Sequence, residues 1–475
     1  MRFDVLLSTV LLLMMITYAS AIGEIAQTYV GGNDATELVR AFNDWIDENG
    51  AKSWSKVVVK EFPGMFCLTL ISTNKHTQTQ QNKHTHTHTP AYRLGLVARE
   101  NIEADDVYLS IPWKLVISED KFAESKHARI FQKLETDHGF DTSLRLATFL
   151  FYEKQKKEAS FWKPFIDLLP ATFNVPLVWD EQDLKELKGT GVYADALKWN
   201  DDTNEKYKLF KKFLKTKSAR KMFDKTFVKE FQREDFVWAY AVLDSRTIWI
   251  DGRYRCFTPI LDMANGKNHP TRKHHTSRDP KTGSTMTRAI WSVEEGEQLF
   301  ENYATPNAQN LLYHGFILKE NSFDSVEFYM RPARDVMQNK PFLLPALRKF
   351  ELRPMYKLQL GSIPKGLMTL ARVLSIENEE EASKAIEVDI YESRLSLENE
   401  RRALQMMITE CGHILKTQYL TSTIEEDEAL LTSSSLSSNR KTSISFRLQQ
   451  KRIFADVQHR AQTLLNGLNE DGREL

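Results

Sequence analysis

Apolar residues along this chain switch between helical spacing and short alternating runs, and the switches divide it into regions. Leu38, Phe42, Trp45 and Ile46 recur at helical spacing, and Gly50 follows as a stop. Residues 57–62 read as a strand. The apolar runs 94–98, 107–111 and 115–117, separated by polar turns, predict a β-rich core. From about residue 141 to 236 the period is helical: Leu144, Leu146, Phe149 and Leu150 crowd together, and Pro164 and Pro170 mark a bend over 161–170. Strand character returns over 247–257 and 289–300, and beyond Met330 the pattern is predominantly helical. There Thr423 with Glu426 predicts a capping box, 433–443 a serine-rich loop, and Ile453, Val457, Ala461, Leu464 and Leu465 an apolar stripe.

Two segments stand outside this pattern. Arg2 precedes an apolar run over 5–16, and Ala19-Ser20-Ala21 offers a small-residue cleavage site, the arrangement of a secretory signal peptide over 1–21. The run is too short for a comfortable membrane span, so no stable membrane insertion is expected after cleavage. The expected destination is the secretory pathway, the exterior, or an organelle entered by that route. A buried N-terminal helix, or a mis-annotated start on a cytoplasmic protein, is the alternative. Residues 65–90 are polar and end in alternating His-Thr from His84 to Thr89, as a CA dinucleotide repeat encodes in one frame. They read as a disordered insertion or a retained intron; a metal site through the imidazoles is the other reading. Without them, Glu61-Phe62-Pro63-Gly64 runs into Tyr92-Arg93-Leu94-Gly95 as one turn and strand.

At 475 residues, with 41% hydrophobic and 27% charged, the chain has room for two or three ordinary globular domains. Lys+Arg and Asp+Glu balance at 64 each, so no global charge favours nucleic acid or a membrane surface. Three cysteines, Cys67, Cys256 and Cys411, fit neither a disulfide framework nor a metal pattern, and no Asn-x-Ser/Thr acceptor occurs. The lysine-dense stretch 206–229 reads as the solvated face of an amphipathic helix with Phe210, Phe213 and Leu214 turned inward; a dock for an acidic partner is the other reading. Nothing demands an oligomer, and a monomer is expected.

Candidate chemistry concentrates between residues 245 and 316. Ser245-Arg246 follows an apolar run over 236–243. Then come Thr258-Pro-Ile-Leu-Asp262-Met-Ala-Asn265, Glu301-Asn302-Tyr303 and His314-Gly315-Phe316, with Arg93-Leu94-Gly95-Leu96-Val97-Ala98 upstream. In this order and spacing they resemble the SET-domain protein methyltransferases of the Rubisco large-subunit lysine methyltransferase type, a family that includes the actin-histidine methyltransferase. The Pro164 to Pro170 run, Leu187-Lys-Gly-Thr190, and Tyr419 with Glu425 to Glu428 and Lys451 are similar to further family signposts, so the resemblance covers roughly residues 34–465 apart from the His-Thr tract.

The resemblance implies an α+β fold. A leader (1–21) and an N-terminal helical segment (22–52) precede a β-rich SET domain (53–325), which is split by a helical insertion (141–236). An all-helical C-terminal substrate-binding domain (326–475) follows. It implies S-adenosylmethionine as cofactor and a protein substrate, methylated on a lysine or, second, a histidine side chain. A catalytically silent scaffold that binds protein is the alternative. Such a transfer is an in-line displacement that needs a held cofactor, an aligned nitrogen and excluded water. It needs no metal, and no ligand set for one stands out.

By the same resemblance, Leu94 and Gly95 meet the cofactor through main-chain groups at a tight turn, where a Cβ on Gly95 would hinder approach; a plain turn is the other reading. Arg246 would pair its guanidinium with the cofactor carboxylate; an ion pair with Asp244 or Asp251 is the other reading. Asp262 and Asn265 belong to the cofactor-contacting string, and Gly266 stands where the family has His. Tyr303 matches the catalytic tyrosine. Its hydroxyl would orient methyl and amine while backbone carbonyls favour the developing charge. An ordinary phenol is protonated at neutral pH, which favours orientation over base catalysis; core packing is the other reading. Asn307-Ala308 matches a further string in which Pro306 replaces Ser and Gln309 replaces Glu, one residue short after Tyr303. His314 stands where many relatives have Tyr, and Phe316 would pack on the cofactor. His269, His274 and His275 read as a polar loop.

Overall fold

The computed structural model describes residues 32–62, 93–273 and 275–471. The expected signal peptide and the His-Thr tract, with the metal site considered for it, lie outside the described residues. Helix α1 (Gly32–Glu48) buries Phe42, Trp45 and Ile46 at the predicted spacing. Gly50 follows at φ 86°, a left-handed conformation that a glycine adopts without steric cost. The apolar face of α1 packs on strand β1 (Val57–Phe62) and on the short helix Lys163–Asp167.

Strand β1 pairs antiparallel with β2 (Arg93–Ala98), and Phe62 faces Arg93 across the ladder. The two ends of the 63–92 segment therefore lie side by side, where a single turn would join them. A three-stranded sheet of β3 (Val107–Ile111), β8 (Thr285–Arg288) and β7 (Thr276–Arg278) stands beside a hairpin of β4 (Thr247–Ile250) and β5 (Tyr254–Phe257). The first sheet is completed by β9 (Gln298–Glu301) on β2, and by the two-residue β6 (Asn265–Gly266) lying parallel to β9. Strand structure is narrower than the hydrophobic runs suggest. Residues 115–117 contribute one bridge, from Ile117 to Phe257, and 289–297 one, from Val293 to Ile102.

The helical insertion is wider than 141–236. Helices begin at Lys121 and Ala128, and the last one, α4 (Arg233–Arg246), runs ten residues past 236. The 128–138 helix escaped notice because only Phe131 and Leu134 are buried on it. Helix α4 has no polar face to set a period, since Phe236, Val237 and 239–243 are all buried. Between them run α2 (Thr142–Gln155), N-capped by Asp141, and α3 (Gly191–Leu214). Phe151, Phe210, Phe231 and Phe236 form an aromatic core with centroids 5.0 to 6.4 Å apart. The lysine-dense stretch is the solvated face: Lys206 pairs with Asp141 at 2.8 Å and Lys211 donates to the Phe231 carbonyl at 3.1 Å.

The C-terminal region is helical apart from one strand pair, β10 (Val326–Tyr329) with β11 (Met355–Leu358). Its main helices are α5 (Lys365–Leu374), α6 (Leu397–Thr417), α7 (Ile424–Leu431) and α8 (Ser438–Asp471). The capping box at Thr423 and Glu426 is present. The serine-rich loop is shorter than 433–443, because α8 already starts at Ser438. Within it the hydroxyls of Thr442 and Ser443 donate to the carbonyls of Ser438 and Asp183, so serines do not break this helix. Ile453, Val457 and Ala461 are buried, but Leu464 is 51% exposed: the stripe continues through Leu465 and Leu468, and a residue 100° away points elsewhere. Helix α8 also holds the C-terminal region against the insertion. Arg447, 1% exposed, donates to Asp427 at 2.7 Å and to Glu186, and Lys451 donates to Asp427 at 2.7 Å.

Candidate active site

Helix α4 delivers Arg246 to the start of β4. Its Nη1 donates to the carbonyl oxygen of Asp262 at 2.7 Å, with the Asp262 carboxylate 3.8 Å away. Asp244 is taken by Arg255 at 2.5 Å, so Arg246 turns to Asp262 instead. Asp262 arrives through a strained turn: Ile260 has φ 76° and ψ −59°, a γ-turn geometry that β-branched residues rarely adopt. The Asp262 side chain is fully buried, and neither carboxylate oxygen has a hydrogen-bond partner among the described residues. Burial pushes its pKa up to about 7, against the pull of Arg246.

Gly95 is not at a turn. It lies inside β2, opposite Lys60 of β1. The reason for glycine is a different close approach: a Cβ would fall 2.6 Å from Gln298 Nε2, 2.7 Å from Phe62 Cε2 and 2.9 Å from Asn265 Nδ2. The space left open lets Asn265 donate to the Leu94 carbonyl at 3.0 Å, which ties β6 to β2.

After β9 the chain passes under the loop that follows β6. Lys267 N donates to the Glu301 carbonyl at 2.9 Å, and Asn302 Nδ2 donates to the carbonyls of His269 and Arg272 at 3.0 and 2.5 Å. Tyr303 emerges beyond this crossing and donates its hydroxyl to the Ala264 carbonyl at 2.8 Å. Its ring stands 5.1 Å from that of His314 and 6.1 Å from that of Phe316. Gly266 lies beneath it, where a Cβ would come within 3.3 Å of Tyr303 and 3.4 Å of Phe316. Burial, with Arg246 nearby, pushes His314 down to about 4 although a Ser245 backbone contact opposes this, so its imidazole is neutral at pH 7.

Two cavities meet here. One, of about 270 Å³, is lined by Leu94, Phe173, Met263, Asn265 and Phe316; the other, of about 340 Å³, by Thr247, Ile248, Leu261, Lys273 and Thr305. Ser245, Arg246, Asp262, Ala264, Tyr303 and His314 line both. The site residues expected from sequence thus converge, with Gly95 behind the first cavity and Gly266 under the Tyr303 ring. A larger groove of about 660 Å³ between α3 and α4 reaches the first cavity only at Thr172 and Phe173 and contains none of these groups. Chemistry, not size, picks the site.

Sequence reasoning gave no structural role to the residues that hold this arrangement. Tyr108 donates to the buried Glu301 carboxylate at 2.5 Å. Asn307, just past Pro306, is buried; it donates to the Leu318 carbonyl and to Gln449 of α8, each at 2.8 Å, and joins the two domains. Ala304 absorbs the shortened interval with φ 51°. Gly315, at φ 73°, sits where a Cβ would meet the Asn174 carbonyl at 1.8 Å. Asn307 carried a signal through the Asn307-Ala308 string, and Ala304 and Gly315 only through adjacency to Tyr303 and Phe316; Tyr108 carried none. His269 accepts from Arg272 N at 2.9 Å as part of its loop, and no group able to hold a metal occurs among the described residues. No helix among them is long and apolar enough to cross a membrane.

Residues 338–454 match the family model described as Rubisco LSMT substrate-binding. The chain is 26% identical over 76% of its length to the human (Homo sapiens) actin-histidine N-methyltransferase, spanning 62% of that protein. It is 25% identical over 77% of its length to the chloroplastic [fructose-bisphosphate aldolase]-lysine N-methyltransferase of Arabidopsis thaliana, spanning 76% of it. Among solved structures, Rubisco LSMT bound to AdoMet superposes with a TM-score of 0.58 at 20% identity, over 91% of this chain and 93% of that one. The SET domain of LSMT bound to lysine and AdoHcy superposes with a TM-score of 0.59 at 19% identity, over 92% and 93%. The fold is therefore the SET fold of these proteins, followed by a helical substrate-binding domain.

Proposed function

From a SET fold with a Rubisco LSMT substrate-binding domain, we propose an enzyme that transfers a methyl group from S-adenosylmethionine to a lysine side chain of another protein. The observation that carries this reading is the meeting of two cavities at Tyr303. In-line displacement brings donor and acceptor from opposite sides of the transferred carbon, and the two cavities share the wall such a carbon would cross.

The residues of the smaller cavity fit the cofactor. It pairs a guanidinium, Arg246, with a buried, unpartnered carboxylate, Asp262, which suits a ligand carrying both a carboxylate and positive charge. Phe173 and Phe316 add aromatic surface for a heterocycle. When bound, S-adenosylmethionine supplies a methyl group already activated by its sulfonium. The chain supplies the rest. Tyr303, held on the Ala264 carbonyl, fixes the carbonyl and its own hydroxyl at the junction. Neutral His314 adds no repulsion toward a sulfonium. Ile248, Leu261 and Ala264 give the larger cavity an apolar wall that suits the methylene stem of lysine. Arg246 and Lys273 disfavour a charged ammonium there, so the amine sheds its proton to solvent through the mouth.

The test is transfer of label from methyl-tritiated S-adenosylmethionine into proteins of an extract of the source organism, followed by acid hydrolysis of the labelled band. Methyl-lysine is expected. Methylhistidine would overturn the choice of acceptor, and a folded protein that binds the cofactor without labelling anything would overturn the catalytic reading in favour of a silent scaffold.

A further inference from the structure

The segment that brings Lys273 to the mouth of the larger cavity carries more positive charge than the balanced chain around it. Residues 267–281 contain Lys267, Arg272, Lys273, Arg278 and Lys281 against one acid, Asp279. That acid is used within its own turn, accepting from Lys281 N at 3.0 Å and from the Thr282 hydroxyl at 2.7 Å. Lys273 lines the cavity mouth and is exposed, and no carboxylate pairs with it among the described residues. Of the five cations, Arg272 pairs with a carboxylate, Asp105, at 3.1 Å.

Lys267, Lys273 and Arg278 lie over rings rather than beside acids. The Arg278 guanidinium lies 4.0 Å over Trp113 and 5.6 Å from Tyr254, and its Nε donates to the Gly283 carbonyl at 3.1 Å. Arg253, in the β4–β5 turn, lies 5.0 Å over the same Tyr254 ring. Strand β7 runs against β4, whose Thr247 and Ile248 line the cavity and whose Trp249 is 59% exposed. A track therefore leads from Lys273 at the mouth, over the β4–β5 hairpin, to Arg253 and Arg278. An aromatic face positions a guanidinium without neutralising it, so these cations remain available to a partner's carboxylates.

We propose that this track reads acidic side chains flanking the methylated residue, so that the substrate segment is an acidic peptide laid across Lys273, Arg253 and Arg278. The inference rests on the methyltransferase reading, because only that reading places a protein segment at the mouth. Nucleic acid would meet the same cations, but the cavity that Lys273 lines is walled by Ile248 and Leu261, which suits a side chain entering from a peptide.

The test uses two fluorescent peptides of equal length with a central lysine, one flanked by glutamates and one by lysines. Their binding to the full chain bearing Tyr303→Phe is followed by anisotropy, and their methylation by the wild type is measured in parallel. The glutamate peptide should bind about tenfold more tightly or better, and added salt should erase the difference. Lys273→Glu and, separately, Arg253→Glu should each remove much of that preference; both residues are exposed and without an ion pair among the described residues. Equal binding of the two peptides, or a preference unchanged in both variants, overturns the proposal. So does a single-stranded RNA oligonucleotide that binds more tightly than the glutamate peptide at the same salt. Methylation without acidic preference overturns this inference alone. Acid-selective binding with no methylation of any protein overturns the catalytic reading and leaves the surface standing.

Discussion

The hydroxyl of Tyr303 donates to the carbonyl oxygen of Ala264 at 2.8 Å, across the point where two cavities share a wall. This bond joins the string that ends at Asn265 to the one that follows β9. It also fixes the orientation of a phenol that lines both cavities. What surrounds this bond sets the outcomes expected below.

Asp262 is a buried acid held at a cost in stability. Its carboxyl titrates near 7 when folded, against an ordinary value of 3.8. Between those values the folded chain keeps a proton that the unfolded chain has lost, so stability falls as pH rises from about 4 to about 7. Asp262→Asn should be more stable than the wild type at pH 8, by an amount on the order of a few kcal/mol, and equal to it near pH 4. Urea denaturation at both pH values checks this. A difference that does not vary with pH would contradict it.

Arg246→Ala removes the guanidinium that faces the smaller cavity. Hydrogen bonds to charged groups contribute about 1.5–3 kcal/mol, so cofactor affinity should fall by roughly tenfold to a hundredfold. Isothermal titration with S-adenosylmethionine reads this directly. Unchanged affinity would remove Arg246 from the cofactor site.

Gly266→Ala places a Cβ 3.3 Å from the Tyr303 ring and 3.4 Å from Phe316. The Tyr303 ring cannot retreat freely, because its hydroxyl is held on Ala264. The variant should stay folded but lose about tenfold in turnover through displacement of the phenol. Normal turnover would show that the ring position tolerates a shift of a few tenths of an ångström.

Deleting residues 65–90 leaves Pro63, Gly64, Ala91 and Tyr92 between Phe62 and Arg93, which already face each other across the β1–β2 ladder. A four-residue hairpin loop is common, and shortening the connection lowers closure entropy by about 1–2 kcal/mol. The melting temperature should rise, with cofactor binding unchanged. A fall would mean that the tract contributes to the folded state.

Strands and helices with one apolar face were legible from spacing: β1 and β2 carry the predicted bounds almost to the residue, and α1 buries three of the four residues expected of it, with Leu38 partly buried. Elements without such a face were not. Helix α4 is apolar all round, so its end at Arg246 gave no periodic signal, although that end positions the guanidinium. The site strings were recognisable as a set, but their reasons were not. Gly95 looked like a turn because a glycine after Leu94 has no other local meaning; its actual reason, the approach of Asn265 and Gln298, is contact between distant segments. The same holds for Asn302 and Asn307, whose partners lie up to 142 positions away and leave no trace in spacing.

The most direct test of the account compares the wild type with Tyr303→Phe for methyl transfer from labelled S-adenosylmethionine to protein, with unfolding curves run alongside. The substitution removes one hydroxyl and its bond to Ala264 while leaving the ring in place. The account predicts an intact fold and a loss of about a hundredfold or more in turnover. Turnover equal to the wild type in a folded variant would contradict it, because the junction of the two cavities would then work without the group that defines it.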